Sequence, residues 1–250
     1  MAINVNTVYT TVLSILNKEQ RGYITPEEFN KLATQVQLDI FENYFEDLNQ
    51  QLRVPQADSE YANRQKNIDN CISIFKTIGN TTYNVAGGYF LPPSDLHRIG
   101  TVIYKDEKEL QRVERNEFLR LNLSPLTKPT TQFPVYLYEQ VIQGTGGANT
   151  GETHIFVKPT TIVTAADITV SYIRKPADVL WGYQQLGGGT WSSGPYIYNA
   201  GASTQFELDD TEQTEVILRI LAYAGVVIRD PQIVQAASQA VQSEEINSKS

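Results

Sequence analysis

Cysteine is nearly missing from this chain. Cys71 is the only one among 250 residues, which excludes an internal disulfide and any zinc site built from several thiolates. Its neighbours Ile72, Ile74 and Phe75 mark it as a small buried hydrophobe rather than a nucleophile. Histidine is almost as scarce. His97 and His154 lie in different segments, each without the i, i+3 or i, i+4 partner of helical metal motifs, so both read as ordinary polar residues. Basic clusters are lacking too. A formal charge of −8 argues against a sequence-independent grip on nucleic acid, although DNA can slide past such a surface. The longest apolar run, near Ala222 to Ile228, falls far short of the roughly 20 residues of a membrane span. No membrane partner is expected. The opening MAINVNTVYTTVLSIL has neither a basic leader nor a small-residue cleavage site, so the expectation is a protein made and kept inside a cell, or packaged there.

Catalytic sets are also wanting. There is no GxSxG elbow, and no serine has a recognisable base partner. GTGGANTG suggests a phosphate loop but lacks the Gly-Lys-Ser/Thr ending and a following helix. It reads as a hairpin tip. The carboxylate pairs Glu27/Glu28, Asp209/Asp210 and Glu244/Glu245 sit at helix ends, where capping or solvation accounts for them. Asn80-Thr81-Thr82 matches a glycosylation sequon that, without a secretion signal, has no route to the modifying enzyme. No catalytic residue, cofactor or metal is assigned.

What the chain does have is 41% hydrophobic residues and helical and strand periodicities in separate blocks. Val5, Val8, Val12, Leu13 and Leu16 form one helical stripe, and Phe29, Leu32, Val36, Ile40, Tyr44, Phe45 and Leu48 a second. Between them, NKEQRGYITPEEFNKL resembles a calcium loop from Asn17 to Glu28. Arg21, however, stands at a ligand position, and a guanidinium repels calcium. Thr25 as N-cap, Pro26 as first helical residue and Glu28 three positions on form a capping box, with Gly22 ending the previous helix. A third helix is expected from about Asp58 to Phe75.

From Thr77 the pattern shortens to TTYN, GGYFL, IGTVIY, FPVYLY, THIFVKP and DITVSYI, strands of a mainly antiparallel sheet. A short helix starts at Val113, and a glycine-rich hairpin tip covers Gly144 to Gly151. A long loop from Trp181 holds Trp181, Tyr183, Trp191, Tyr196 and Tyr198. These aromatics are the candidate interface: buried they make a loop core, exposed they make a protein contact or a sugar-stacking platform. Asp209 or Asp210 then caps a helix carrying Val216, Ile217, Ile220, Leu221, Ala224 and Val227. Asp230 and Pro231 open a last helix with Val234, Ala237 and Val241, and INSKS reads as a frayed tail. The expected fold is α+β, a helical bundle from both chain ends with a central, mainly antiparallel β-rich insertion. Its parts are 1–76 (N-terminal helices), 77–208 (the insertion) and 209–250 (C-terminal helices packing on the N-terminal ones).

Three stretches carry a family resemblance: NVNTVYTTVLSILNKEQRGYITPEEFNKLATQVQLDIFENYF, YNVAGGYFLPPSDLHRIGTVIY and LDDTEQTEVILRILAYAGVVIRDPQIVQ. They resemble virion structural proteins of crAss-like and related short-tailed bacteriophages, and the layout is similar to the tail tubular protein A type of head-to-tail adaptor. The resemblance implies a non-enzymatic ring subunit, a dodecamer stacked beneath the portal protein, around the DNA exit channel and against other tail or ring proteins. DNA would pass without sequence-specific binding, and the protein would reside in the virion after assembly in the host cytoplasm. Two other readings remain: a virion carbohydrate-binding module using the Trp/Tyr loop, and a calcium-regulated protein using Asn17 to Glu28.

Overall fold

Asn4 begins the first helix. Its Oδ1 accepts hydrogen bonds from the backbone N–H of Asn6 at 2.9 Å and of Thr7 at 3.2 Å, satisfying donors that have no partner inside the helix. The computed structural model describes residues 2–18, 23–53, 59–140, 153–185, 196–227, 235 and 238–243, apart from the side chains of 18, 51–53 and 59–65. Helix α1 spans Val5–Lys18 and α2 spans Pro26–Arg53. The capping box forms as read: Thr25 N–H donates to Glu28 Oε2 at 2.9 Å, and Glu28 N–H donates to Thr25 Oγ1 at 3.3 Å. The Thr25 N–H, together with the Thr25 hydroxyl donating to the same Oε2 at 2.8 Å, holds the Glu28 carboxyl below its ordinary range. Glu19, Arg21 and Gly22 of the calcium-loop reading lie outside the described residues.

Two compact units divide the chain, Met1–Ile74 with Pro176–Ser250, and Phe75–Lys175. In the first, α3 (Ser59–Ser73) packs on α2, while α5 (Gln213–Val227) packs on both α1 and α2. Asp209 caps the short 3-10 turn Asp210–Glu212 that leads into α5, its Oδ1 accepting from Thr211 N–H at 3.1 Å. The buried faces are those of the helical stripes: Val8, Val12 and Leu16 from α1, Phe29, Val36, Ile40 and Phe41 from α2, and Val216, Ile220 and Ala224 from α5. Residues 238–243 are helical, whereas Asp230, Pro231, Val234 and Ala237 lie outside the described residues, as do Glu244 and Glu245.

The second unit is a two-sheet sandwich. One antiparallel sheet has the order β1 (Lys76–Asn80), β9 (Ile168–Arg174), β4 (Leu96–Tyr104), β5 (Lys108–Glu109). The other runs β2 (Thr82–Asn84), β3 (Tyr89–Leu91), β8 (His154–Lys158), β7 (Val135–Glu139), β6 (Gln111–Arg112). Only the β6–β7 pair is parallel among these strands. TTYN supplies β2 from Thr82, while β1 before it, not read as a strand from the sequence, belongs to the other sheet; the chain changes sheets at buried Thr81, whose N–H and hydroxyl both donate to Ile168 O. Phe90, Val102, Ile155, Ile168 and Val170, drawn from both sheets, form the core between them. Val135 and Leu137 point the other way, toward Phe118 and Leu121 of α4 (Arg115–Leu121). One strand therefore buries both its faces.

The unit boundaries differ from the sequence division. Residues 176–208, read as part of the insertion, belong with the helices, because the backbone of Ala177 and Val179 is hydrogen-bonded to α2 and Gln205 Oε1 accepts from Val5 N–H at the start of α1. The tip at Gly144 to Gly151 lies outside the described residues, but its flanks pair as a hairpin from Val135↔Lys158 to Glu139↔His154.

Candidate functional site

The chain from Ala177 to Trp181 runs extended along α2, joined to it by a ladder of side-chain bonds. Gln37 Nε2 donates to Ala177 O at 2.7 Å, and its Oε1 accepts from Glu207 N–H at 2.9 Å. One turn back, the Thr34 hydroxyl accepts from Val179 N–H at 3.1 Å and donates to Val179 O at 3.3 Å. Next, Asn30 Oδ1 accepts from Trp181 N–H at 2.7 Å while its Nδ2 donates to Trp181 O at 3.4 Å. Helix positions i, i+4 and i+7 step by about 6 and 4.5 Å, and alternate strand residues by about 6.6 Å. The longer reach of Asn and Gln at the two ends absorbs the mismatch. The opposite edge of this extended segment bonds Thr204, with Leu180 N–H to Thr204 O at 3.2 Å and Thr204 N–H to Leu180 O at 2.8 Å. A helix face here takes the place of a neighbouring strand.

This strap delivers Trp181 into the helical unit. The indole is 4% exposed, lies 4.4 Å between centroids from Tyr9 of α1, and donates from Nε1 to Asn6 Oδ1 at 3.0 Å. Past it, Tyr183–Gln185 (β10) pairs with Tyr196–Tyr198 (β11) as a separate antiparallel ribbon, where the sequence reading had a loop. Trp181 also meets Tyr183 at 6.0 Å and Tyr198 at 5.7 Å, and Tyr183 meets Tyr196 edge-on at 4.9 Å. Four of the five candidate aromatics thus converge; Trp191 lies outside the described residues. Trp181 is an anchor. Tyr183, Tyr196 and Tyr198 are half-buried, and Gln184, Gln185 and Ile197 are the exposed residues of the ribbon.

A second cluster was not legible in the sequence. Glu212, which no sequence motif singles out, accepts a hydrogen bond from Tyr44 OH of α2. Burial pushes its carboxyl from 4.5 up to about 7, helped by Glu215 and Asp209 and opposed by Tyr44 and Arg219. Burial and the Glu212 charge together raise the Tyr44 hydroxyl. Cys71 on α3 is half-buried rather than fully enclosed, and its thiol rises to about 11 through burial and the nearby Glu212 and Asp209. A thiol so poised is a poor nucleophile.

In the sandwich, a cleft of about 650 Å³ is lined by Asn80, Thr82, Ser94, His97, Tyr138 and Thr153 among others. His97 accepts from Arg98 Nε at 3.4 Å, and His154 is buried beside Tyr89, 4.1 Å between rings, so the two histidines occupy separate settings. Among the described residues, no three His, Cys, Asp or Glu side chains come together to hold a metal ion, and no helix is long and apolar enough to cross a membrane. No family model matches the sequence, and no curated protein matches it either.

Proposed function

We propose that this chain is a structural ring subunit of a bacteriophage head-to-tail connector of the short-tailed type. It is non-enzymatic, sits beneath the portal around the DNA exit channel, and reaches the virion after assembly in the host cytoplasm. The observation that carries this reading is the architecture: helices from both chain ends share one unit, and a β-rich unit is inserted between them. That is the layout implied by the adaptor resemblance. A rotationally closed ring needs two different, complementary faces on each subunit, and two units of different construction supply material for them. A net charge of −8 suits a channel wall that DNA passes without adhering.

A glycan platform on Trp181 is not carried forward, because Tyr9, Tyr183 and Tyr198 crowd the indole. The test is the native mass of the purified chain, alone and after mixing with the portal of its virion. A discrete multimer, or a ring that forms on the portal, is expected; a monomer indifferent to the portal overturns the reading.

A further inference from the structure

Four large apolar side chains stand in solvent within one short span of the β-rich unit: Leu119 at 58%, Leu123 at 84%, Leu126 at 96% and Phe133 at 77% exposure. They are not casualties of a loose loop. Phe118 and Leu121 occupy the side of α4 that faces the sheet, which turns Leu119 outward. The helical turn continues past α4, with Asn122 N–H to Phe118 O at 3.0 Å and Leu123 N–H to Arg120 O at 3.2 Å, so Leu123 follows Leu119 at i+4 on the same side. Ser124 O then accepts from Lys128 N–H at 3.1 Å, and the Thr127 hydroxyl donates back to Leu121 O at 2.8 Å, tying the turn that carries Leu126 onto the helix end. Phe133 sits in a turn closed by mutual backbone bonds with Thr130. Hydrogen-bonded backbone holds these side chains out, and apolar surface presented this way marks an interface.

Charge indicates what covers it. From Glu117 to Glu139 no acidic residue intervenes, while Arg120 and Lys128 lie among the apolar residues, both exposed. The β-rich unit, Phe75–Lys175, has 11 Lys/Arg against 9 Asp/Glu, net +2, which leaves 9 against 19, net −10, for the helical unit. The exposed Glu27, Glu42 and Glu46 of α2 belong to that acidic unit. We propose that the face formed by Leu119, Leu123, Leu126 and Phe133, with Arg120 and Lys128, docks on the helical unit of a second copy of this chain. The contact is heterologous and can repeat from copy to copy. It deepens the ring reading, resting on it for closure, and charge complementarity fixes the orientation.

The test is sedimentation of the full chain over a concentration series at about 0.05 M and about 0.5 M salt, comparing wild type with Leu123→Glu/Leu126→Glu and with Arg120→Glu/Lys128→Glu. Wild type is expected to associate, and less at the higher salt. The leucine variant is expected to lose roughly tenfold in association constant per substitution, and the charge variant to weaken and lose its salt dependence. All four side chains are exposed, so melting curves should overlay that of wild type. Variants that fold and assemble like wild type overturn this face and leave the ring reading standing. A wild-type chain monomeric at every concentration also overturns it, whereas the ring reading falls only if the portal fails to recruit the chain as well. Loss of assembly in the leucine variant with unchanged salt dependence in the charge variant keeps the face between copies but overturns its docking on the acidic helical unit.

Discussion

At the scale of single residues, Gly182 and Glu212 respond to crowding and to burial. A Cβ on Gly182 would lie 2.5 Å from Ala202 O and 2.6 Å from Ala202 C, both backbone atoms that cannot swing aside. Gly182→Ala is therefore expected to destabilise the protein by about 1–3 kcal/mol, read as a lower urea midpoint. Glu212 sets a pH dependence. Its folded pKa of about 7 lies above the ordinary 4.5, so its contribution to stability is fully present below about pH 4.5 and is lost as pH rises through about 7. The groups facing it are Tyr44 from α2, Cys71 from α3, and Asp209, Glu215 and Arg219 on its own side. Stability is expected to fall by on the order of 2 kcal/mol between about pH 5 and pH 8. Glu212→Gln, which keeps an acceptor for Tyr44, should flatten that slope; an unchanged slope would place the titration elsewhere.

At the scale of elements, α2 organises the helical unit. Its apolar stripe meets α3 and α5, and Tyr223 OH of α5 donates to Asp39 Oδ2 of α2 at 2.6 Å. A different face carries Asn30, Thr34 and Gln37 to the strap. Gln37 is only 1% exposed, so Gln37→Leu removes its bonds to Ala177 O and Glu207 N–H, at a cost of about 1–3 kcal/mol for the two bonds. Unfolding in urea measures that cost, and hydrogen exchange should show the strap amides of residues 177–181 losing protection ahead of the α1 amides. Thr25→Ala removes one half of the capping box and is expected to cost about 1 kcal/mol. The short α4 makes a contrast: its inner side completes a small core with Val135 and Leu137, and its outer side holds the docking face.

At the scale of the whole molecule, the β-rich unit begins and ends at one place. Lys76 of β1 is paired with Ile173 of β9, and Arg174 N–H donates to Phe75 O at 2.9 Å, so entry and exit are neighbouring backbones. An insertion with adjacent ends interrupts its host little. Residues 75–175 produced alone are expected to fold, with a β-type circular dichroism spectrum and one cooperative melt; a spectrum of an unfolded chain would show that the unit needs its host. The separation also distributes charge, acidic in the helical unit and slightly basic in the β-rich one, which is what a head-to-tail contact between copies requires.

Helix positions were legible in the sequence because the stripes Val5 to Leu16 and Phe29 to Leu48, the Thr25–Glu28 box and the Asp209 cap are local signals, decided within one or two turns of chain. The α+β class followed from the same local periods, and so did β2, β3, β4, β7, β8 and β9 of the sandwich, whereas β1, β5 and β6 were not read. Other features depended on distance. Asn30, Thr34 and Gln37 lie beside the apolar stripe of α2 at i, i+4 and i+7, a signal visible only as polar residues next to a core face; what they bind is 140 to 170 residues away. The same strap drew residues 176–208 to the helices, made Trp181 an anchor, and made a ribbon of what reads as a loop. Glu212 gained its proton affinity from burial in the folded unit, against the hydrogen bond it accepts from Tyr44, 168 residues back along the chain. Local chemistry fixes where elements begin and end, because caps and periods act within a few residues. Burial, partner choice and exposure are properties of the assembled surface, and only the tertiary structure decided them.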